Sequence, residues 1–99
     1  GADVNAEDSF GFTILMWASS GGNLEVVKLL VENGADIDAK DYEGCSSLMW
    51  ASLEGHIEIV KYLVKNGADI NIKNEDGNTA LDWAATEEIK EVLRKAGYK

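Results

Sequence analysis

Leu24, Val27, Leu30 and Val31 fall three or four residues apart, and Ile57, Val60, Leu63 and Val64 repeat that spacing 33 residues later. Each set draws a single apolar stripe along a helix, with Glu25, Lys28, Glu58 and Lys61 between the stripe positions. A shorter apolar run precedes each stripe, carrying Leu15, Trp17 and Ala18, then Leu48, Trp50 and Ala51, then Leu81, Trp83 and Ala84. Thr13, Ser46 and Thr79 stand just ahead of these runs, where a hydroxyl caps a helix start. Gly22 and Gly55 break the chain between short run and long stripe, and Asn33-Gly34 and Asn66-Gly67 end the long helices in left-handed stops. Upstream of the short helices, Asp8-Ser9-Phe10-Gly11 and Asp41-Tyr42-Glu43-Gly44 place Asp first and Gly fourth, the signature of a tight turn.

The pattern is therefore turn, helix, loop, helix, with a period of 33. Eight of the ten glycines sit on that lattice. Gly97 rejoins it after a three-residue deletion, and only Gly21 is off it. One such unit has too little apolar surface to fold alone, and stacking on a neighbour buries what it has. The expected fold is an all-α repeat solenoid of stacked helix-turn-helix units with β-hairpin-like loops. It forms one domain over residues 1–99: a tail of a preceding unit at 1–6, units at 7–39 and 40–72, and a C-terminal cap at 73–99.

The ends differ. The third unit lacks a glycine between its helices, and Lys90 stands where the inner units have Val27 and Val60, which suits a face with no further neighbour. A rival reading is a single helix over 79–95, since Leu81, Ala85, Ile89, Val92 and Ala96 share a face. At the start, Gly1 to Ala6 repeats the tail motif without its helices, so the outer faces of Leu15 and Trp17 are expected to be uncovered and further units to lie upstream.

Period and motifs together resemble the ankyrin repeat across essentially the whole chain. Thr13-Ile14-Leu15-Met16, Ser46-Ser47-Leu48-Met49 and Thr79-Ala80-Leu81-Asp82 stand where that family has Thr-Pro-Leu-His, and Glu54 to Lys61 is similar to its inter-helix loop and second helix. Two features depart from the family. The chain has no proline, so the residue pre-set for helix entry is missing in each unit, at some cost in stability. The family's His is replaced by Met16, Met49 and Asp82, so its polar bridging between repeats is not carried over.

Composition narrows the partners. Eighteen Asp and Glu against nine Lys and Arg give a net charge of −9, which repels phosphate backbones and argues against nucleic acid. No apolar run approaches the roughly 18 residues of a membrane span. The lone Cys45 forms no intrachain disulfide, which points to a reducing, cytoplasmic setting. Candidate chemistry is sparse. Cys45 and His56 are the single Cys and His, too few for a closed zinc site, and His56 sits in an inter-helix loop where a structural role is expected. The carboxylate pairs Glu75-Asp76 and Glu87-Glu88 lack a calcium-loop pattern and read as solvated surface. No catalytic, metal or cofactor residue is assigned. The three tryptophans read as packing between repeats, whereas Phe12 is balanced between packing and binding.

The resemblance implies that hairpin tips and first helices form a groove for a protein partner. By position that groove carries Ser9, Phe10, Phe12, Ser20, Lys40, Tyr42, Glu43, Cys45, Leu53, Glu54, Lys73, Glu75, Asp76 and Asn78. Aromatic tips passing into an acidic third unit favour a partner with an apolar anchor beside Lys or Arg. The other function classes are a self-stacking element or a designed scaffold, with catalysis only in a larger parent protein. A monomer is expected, with self-stacking through the first unit as the alternative.

Overall fold

Hydroxyls start two of the three first helices as the spacing predicts, whereas the Thr79 hydroxyl instead donates to Asp82 Oδ2 (3.2 Å). In the computed structural model, which describes residues 3–97, Thr13 Oγ1 accepts the Met16 amide (3.3 Å) and opens α1 (Ile14–Gly21). Ser46 Oγ accepts the Met49 amide (3.4 Å) and opens α3 (Ser47–Leu53). At two of the three positions where the family has His, the substitute side chain accepts the cap residue's own amide: Met16 Sδ from Thr13 (3.5 Å) and Asp82 Oδ2 from Thr79 (2.8 Å). The second bond opens α5 (Ala80–Trp83), a single turn.

The long stripes become α2 (Leu24–Glu32) and α4 (Ile57–Lys65). Asn33 and Asn66 end them, each donating its side-chain amide to a carbonyl of the last turn (2.7 and 2.8 Å), and Gly34 and Gly67 follow at positive φ. Residues 79–95 are not one helix. Ala84 leaves helical geometry with ψ 125°, the Ala85 amide donates to Ser52 in the previous unit (3.0 Å), and Thr86 caps the Ile89 amide (3.2 Å) to start α6 (Glu87–Lys95). The five apolar positions therefore share no single helical face, with Ala85 and Ala96 exposed, and the shortened loop reaches α6 through an extended linker with its own cap.

First helices pack on first helices (α1 on α3, α3 on α5), and second helices on second helices (α2 on α4, α4 on α6). Two helical layers result, and among the described residues no strand forms. Isolated antiparallel bridges, Glu7 with Thr13 and Lys40 with Ser46, close the first two loops as narrow hairpins. Between the layers lies one core, with Leu15, Val27, Leu48, Ile59, Val60, Leu63, Ile89 and Leu93 almost wholly buried. Of the two outer faces expected to be uncovered, that of Trp17 is open (58% exposed), whereas Leu15, at 1%, is buried. Gly1 and Ala2 of the tail motif, and residues 98 and 99 of the expected cap, lie outside the described residues.

Polar bonds repeat with the same step. Asn5 Oδ1 accepts the Asp36 amide (2.6 Å) and Asp38 Oδ1 accepts the Asp69 amide (2.8 Å), tying the end of one unit to the end of the next. His56 Nε2 lies 3.0 Å from the Ser20 carbonyl, which requires the proton on Nε2. The ring packs so closely on Gly22 that a Cβ there would sit 2.7 Å from it. His56 therefore clamps two units together.

Candidate functional site

Each hairpin tip is held by the side chain that opens its turn. Asp8 Oδ1 accepts the amides of Phe10 and Phe12 (2.9 and 3.0 Å), Asp41 Oδ1 those of Glu43 and Cys45 (both 2.9 Å), and Asn74 Oδ1 those of Asp76 and Asn78 (both 3.0 Å). The tips then bond to one another: the Tyr42 amide donates to the Phe10 carbonyl (3.2 Å) and the Glu75 amide to the Glu43 carbonyl (2.9 Å). The approach is tightest at Gly11, where φ is +80° and an added Cβ would lie 2.5 Å from the Tyr42 ring and 2.9 Å from its backbone nitrogen.

This ladder presents most of the expected groove residues. Ser9, Phe10, Lys40, Tyr42, Glu43, Lys73, Glu75 and Asp76 are exposed at the tips, Phe10 and Tyr42 by about two thirds (67% and 64%). Phe12 and Asn78 are half-buried. Leu53 and Glu54 are exposed at the end of α3, and Ser20 is half-buried near the end of α1. Cys45 is the exception. It is 1% exposed, beneath the third turn, with Asn74 Nδ2 3.6 Å from its sulfur. It belongs to the core and cannot touch a partner. Tyr42 and Glu43 face solvent, but at 45 the side chain is small enough to fit beneath Asn74 of the next turn.

Burial first, and then the nearby Asp41 and Glu43 carboxylates, push the Cys45 thiol up to about 11, against the opposing bond from Asn74. The folded thiol is therefore neutral and inert at ordinary pH. A thiol reagent at pH 8 is expected to leave Cys45 unlabelled in the native protein and to label it fully in denaturant. Rapid native labelling would show that the third turn does not cover it. The raised value also sets a sign for stability. The unfolded thiol ionises first, so its contribution is intact below about pH 9 and lost as pH rises towards 11.

The tryptophans pack between units as expected, and they also present ring surface that the expected groove left out. Trp17 is 58% exposed, and Trp50 and Trp83 are half-buried on the same lattice position. Phe12 stands edge-on between Trp17 and Trp50, with ring centroids 5.3 and 5.7 Å apart and planes at 86° and 79°. Trp50 meets Trp83 at 5.4 Å and 69°, and Phe10 flanks Phe12 at 6.0 Å. A row of five rings thus crosses all three units, and three of its four contacts are edge-to-face, the geometry that aromatic quadrupoles favour.

Carboxylates fix two of the indoles. Trp17 Nε1 donates to Asp8 Oδ2 (3.1 Å) and Trp50 Nε1 to Asp41 Oδ2 (3.2 Å). Desolvation works against the charge on Asp8, but the Phe10 and Phe12 amides and the Trp17 indole outweigh it and hold the carboxyl below its ordinary value. The one acid thus shapes the turn and aims the ring. Where the row bends, Phe12, Met16, Trp17, Ser20 and Trp50 line a half-open cavity of about 140 Å3. A shallower recess of about 210 Å3 lies on the second-helix layer, among Leu24, Lys28, Glu58, Lys61, Tyr62 and Lys65.

The described residues contain no group of three or more His, Cys, Asp or Glu placed to hold a metal, and Cys45 and His56 bond to different neighbours. No helix among them is long and apolar enough to cross a membrane.

A family model described as ankyrin repeats, in three copies, matches residues 1–74. The chain belongs to the ankyrin repeat family. No curated protein matches it at a significant level. Ankyrin repeats mediate protein–protein interactions as non-catalytic modules, and the row of rings lies along the tips and first helices of this ankyrin stack. The matched span ends inside the third turn, so the one-turn α5 and the linker to α6 lie past it.

Proposed function

We propose that this ankyrin stack binds a protein partner along its hairpin tips and first-helix layer, and performs no catalysis of its own. The observation that carries the reading is the exposed aromatic row, with Phe10 and Tyr42 projecting at the first two tips. Exposed aromatics on a rigid, hydrogen-bonded frame are the usual anchors of an interface, because little rotamer freedom is lost on binding. Glu43, Glu54, Glu75 and Asp76 flank the row, and a net charge of −9 steers a partner whose apolar anchor is accompanied by Lys or Arg.

Residues 73–97 serve in this reading as a cap. On α6 the half-buried Lys90, which pairs with the exposed Glu87 (3.2 Å), stands at the position that the inner units fill with fully buried valine. The unpaired Cys45 thiol favours a reducing, intracellular setting. Self-stacking through the first unit keeps part of its support: Leu15 is covered, but Ile14 and Trp17 stay exposed.

The test is affinity for a partner obtained by selection from a displayed peptide or protein library. Phe10→Ala and Tyr42→Ala are each expected to weaken binding by roughly tenfold or more, the range of interface anchors. Phe10 is exposed enough that its loss should leave folding nearly unchanged. Affinity within twofold of the parent for both variants would place the interface elsewhere.

A further inference from the structure

The cavity between Phe12, Trp17 and Trp50 has a more specific chemistry than an apolar anchor site. Its walls are three π faces or edges, its floor includes the buried Met16, and none of its five lining residues is charged. The two indoles donate to carboxylates, Trp17 to Asp8 and Trp50 to Asp41. A negative charge on the indole N–H pushes electron density into the ring and deepens its attraction for a cation over the face. The carboxylates that act this way are already engaged: Asp8 by two backbone amides and an indole, Asp41 likewise. The site therefore offers a cation strong π attraction and few free acceptors.

That combination discriminates among cations. A primary ammonium carries three N–H donors and a guanidinium five, and either would leave the donors turned towards the rings unpaired, at a cost comparable to a lost hydrogen bond. A quaternary ammonium has no donor to satisfy. Its methyl groups spread the charge and pack on the rings, which is how aromatic pockets recognise such cations. Space is adequate, since a cavity of about 150 Å3 holds a benzene ring and this one is of about 140 Å3. The cavity is open on one side, and its rings are continuous with Trp83 through Trp50 and with the Phe10 tip through Phe12, so a side chain can enter while its own backbone runs along the row.

We infer that the Phe12–Trp17–Trp50 cavity takes the trimethylated ammonium of a modified lysine on an extended peptide segment of the partner. This rests on the groove reading above and refines it, by naming the group that fills its cavity.

The test is an NMR titration of the indole N–H resonances of the intact chain with three single-residue probes: N-acetyl lysine amide, its Nε-trimethyl form, and the neutral tert-butyl isostere of that form. The trimethyl probe is expected to shift the Trp17 and Trp50 signals, and to bind at least about fivefold more tightly than either of the other two. Trp17→Ala, at an exposed ring, should abolish the shift at Trp50 while leaving the fold's dispersion intact. Ser20→Lys, which sets an ammonium beside the cavity, should weaken the trimethyl probe and spare the isostere.

Equal binding of the isostere would show that apolar burial alone drives occupancy and would overturn the inference, and so would equal binding of unmodified lysine. No shift with any probe also overturns it. In each case Phe10→Ala and Tyr42→Ala, measured on a selected partner, still report separately on the groove. Tetramethylammonium shifting the two indoles while the trimethyl-lysine probe does not would assign the cavity to a free quaternary amine, and would overturn the peptide assignment.

Discussion

Leu48→Ala is expected to lower the unfolding free energy by about 2–5 kcal/mol, the range for a buried leucine whose cavity cannot collapse. Leu48 is 1% exposed in α3, the first helix of the middle unit, with α1 on one side and α5 on the other. Neighbours from both directions hold the walls of the resulting void apart. A domain of this size has about 5–15 kcal/mol in total, so the loss is a large fraction of it. Leu81 occupies the same motif position in the third unit but is half-buried, on a helix of one turn. Leu81→Ala should therefore cost about 1–2 kcal/mol, less because less surface is returned to water. Urea unfolding of the two variants side by side is the measurement. Equal losses would mean that the motif position sets the cost, and that the burial difference between inner and outer units has no energetic weight.

Gly11→Ala is the second large effect, and it falls on the frame of the binding surface. An alanine at φ +80° costs about 1–2 kcal/mol from backbone sterics alone. Its methyl group would also meet the Tyr42 ring and, at 2.9 Å, the Tyr42 backbone nitrogen. A ring can rotate away, but the nitrogen moves only if the second tip moves, and that breaks the bond from Tyr42 to the Phe10 carbonyl. The sum is expected to reach about 2–3 kcal/mol, with a partner affinity that falls alongside, since both projecting aromatics shift. The Phe10 and Tyr42 amide resonances and the unfolding midpoint report on the two parts. A loss below about 0.5 kcal/mol with unmoved amides would show that the tips are not in close register.

Most of the fold was legible because the repeat states each local rule several times. Thr13 and Ser46 as caps, Asn33-Gly34 as a stop and Asp8 and Asp41 as turn openers all act as the spacing predicts. That the tryptophans line the candidate site besides packing between units was not legible, and the reason is local. Ile14-Leu15-Met16-Trp17-Ala18 is apolar at every position, so no polar residue marks the outer face and the helical period has no contrast to show. Leu15, Ala18 and Ser19 take the core side, which leaves Ile14 and Trp17 outside. A possible signal was Asp8, nine residues before Trp17, repeated by Asp41 before Trp50. Cys45 was misplaced for the opposite reason. Phe12, Cys45 and Asn78 share a lattice position, but only the small thiol fits beneath Asn74, whereas Phe12 swings out between two indoles. The linker at 84–86 was ambiguous because a deletion removed the glycine that marks it in the other units.

The layering of first helices on first helices and second on second has a kinetic consequence. Each of these contacts joins segments one repeat apart, so the chain entropy lost in closing the α1–α3 junction nearly equals that lost at α3–α5. Folding can begin at either junction, and α3 with α4 belongs to both. The middle unit is thus the common nucleus of two routes. Damage there slows the formation of the native chain, whereas damage to an outer unit mainly speeds its loss.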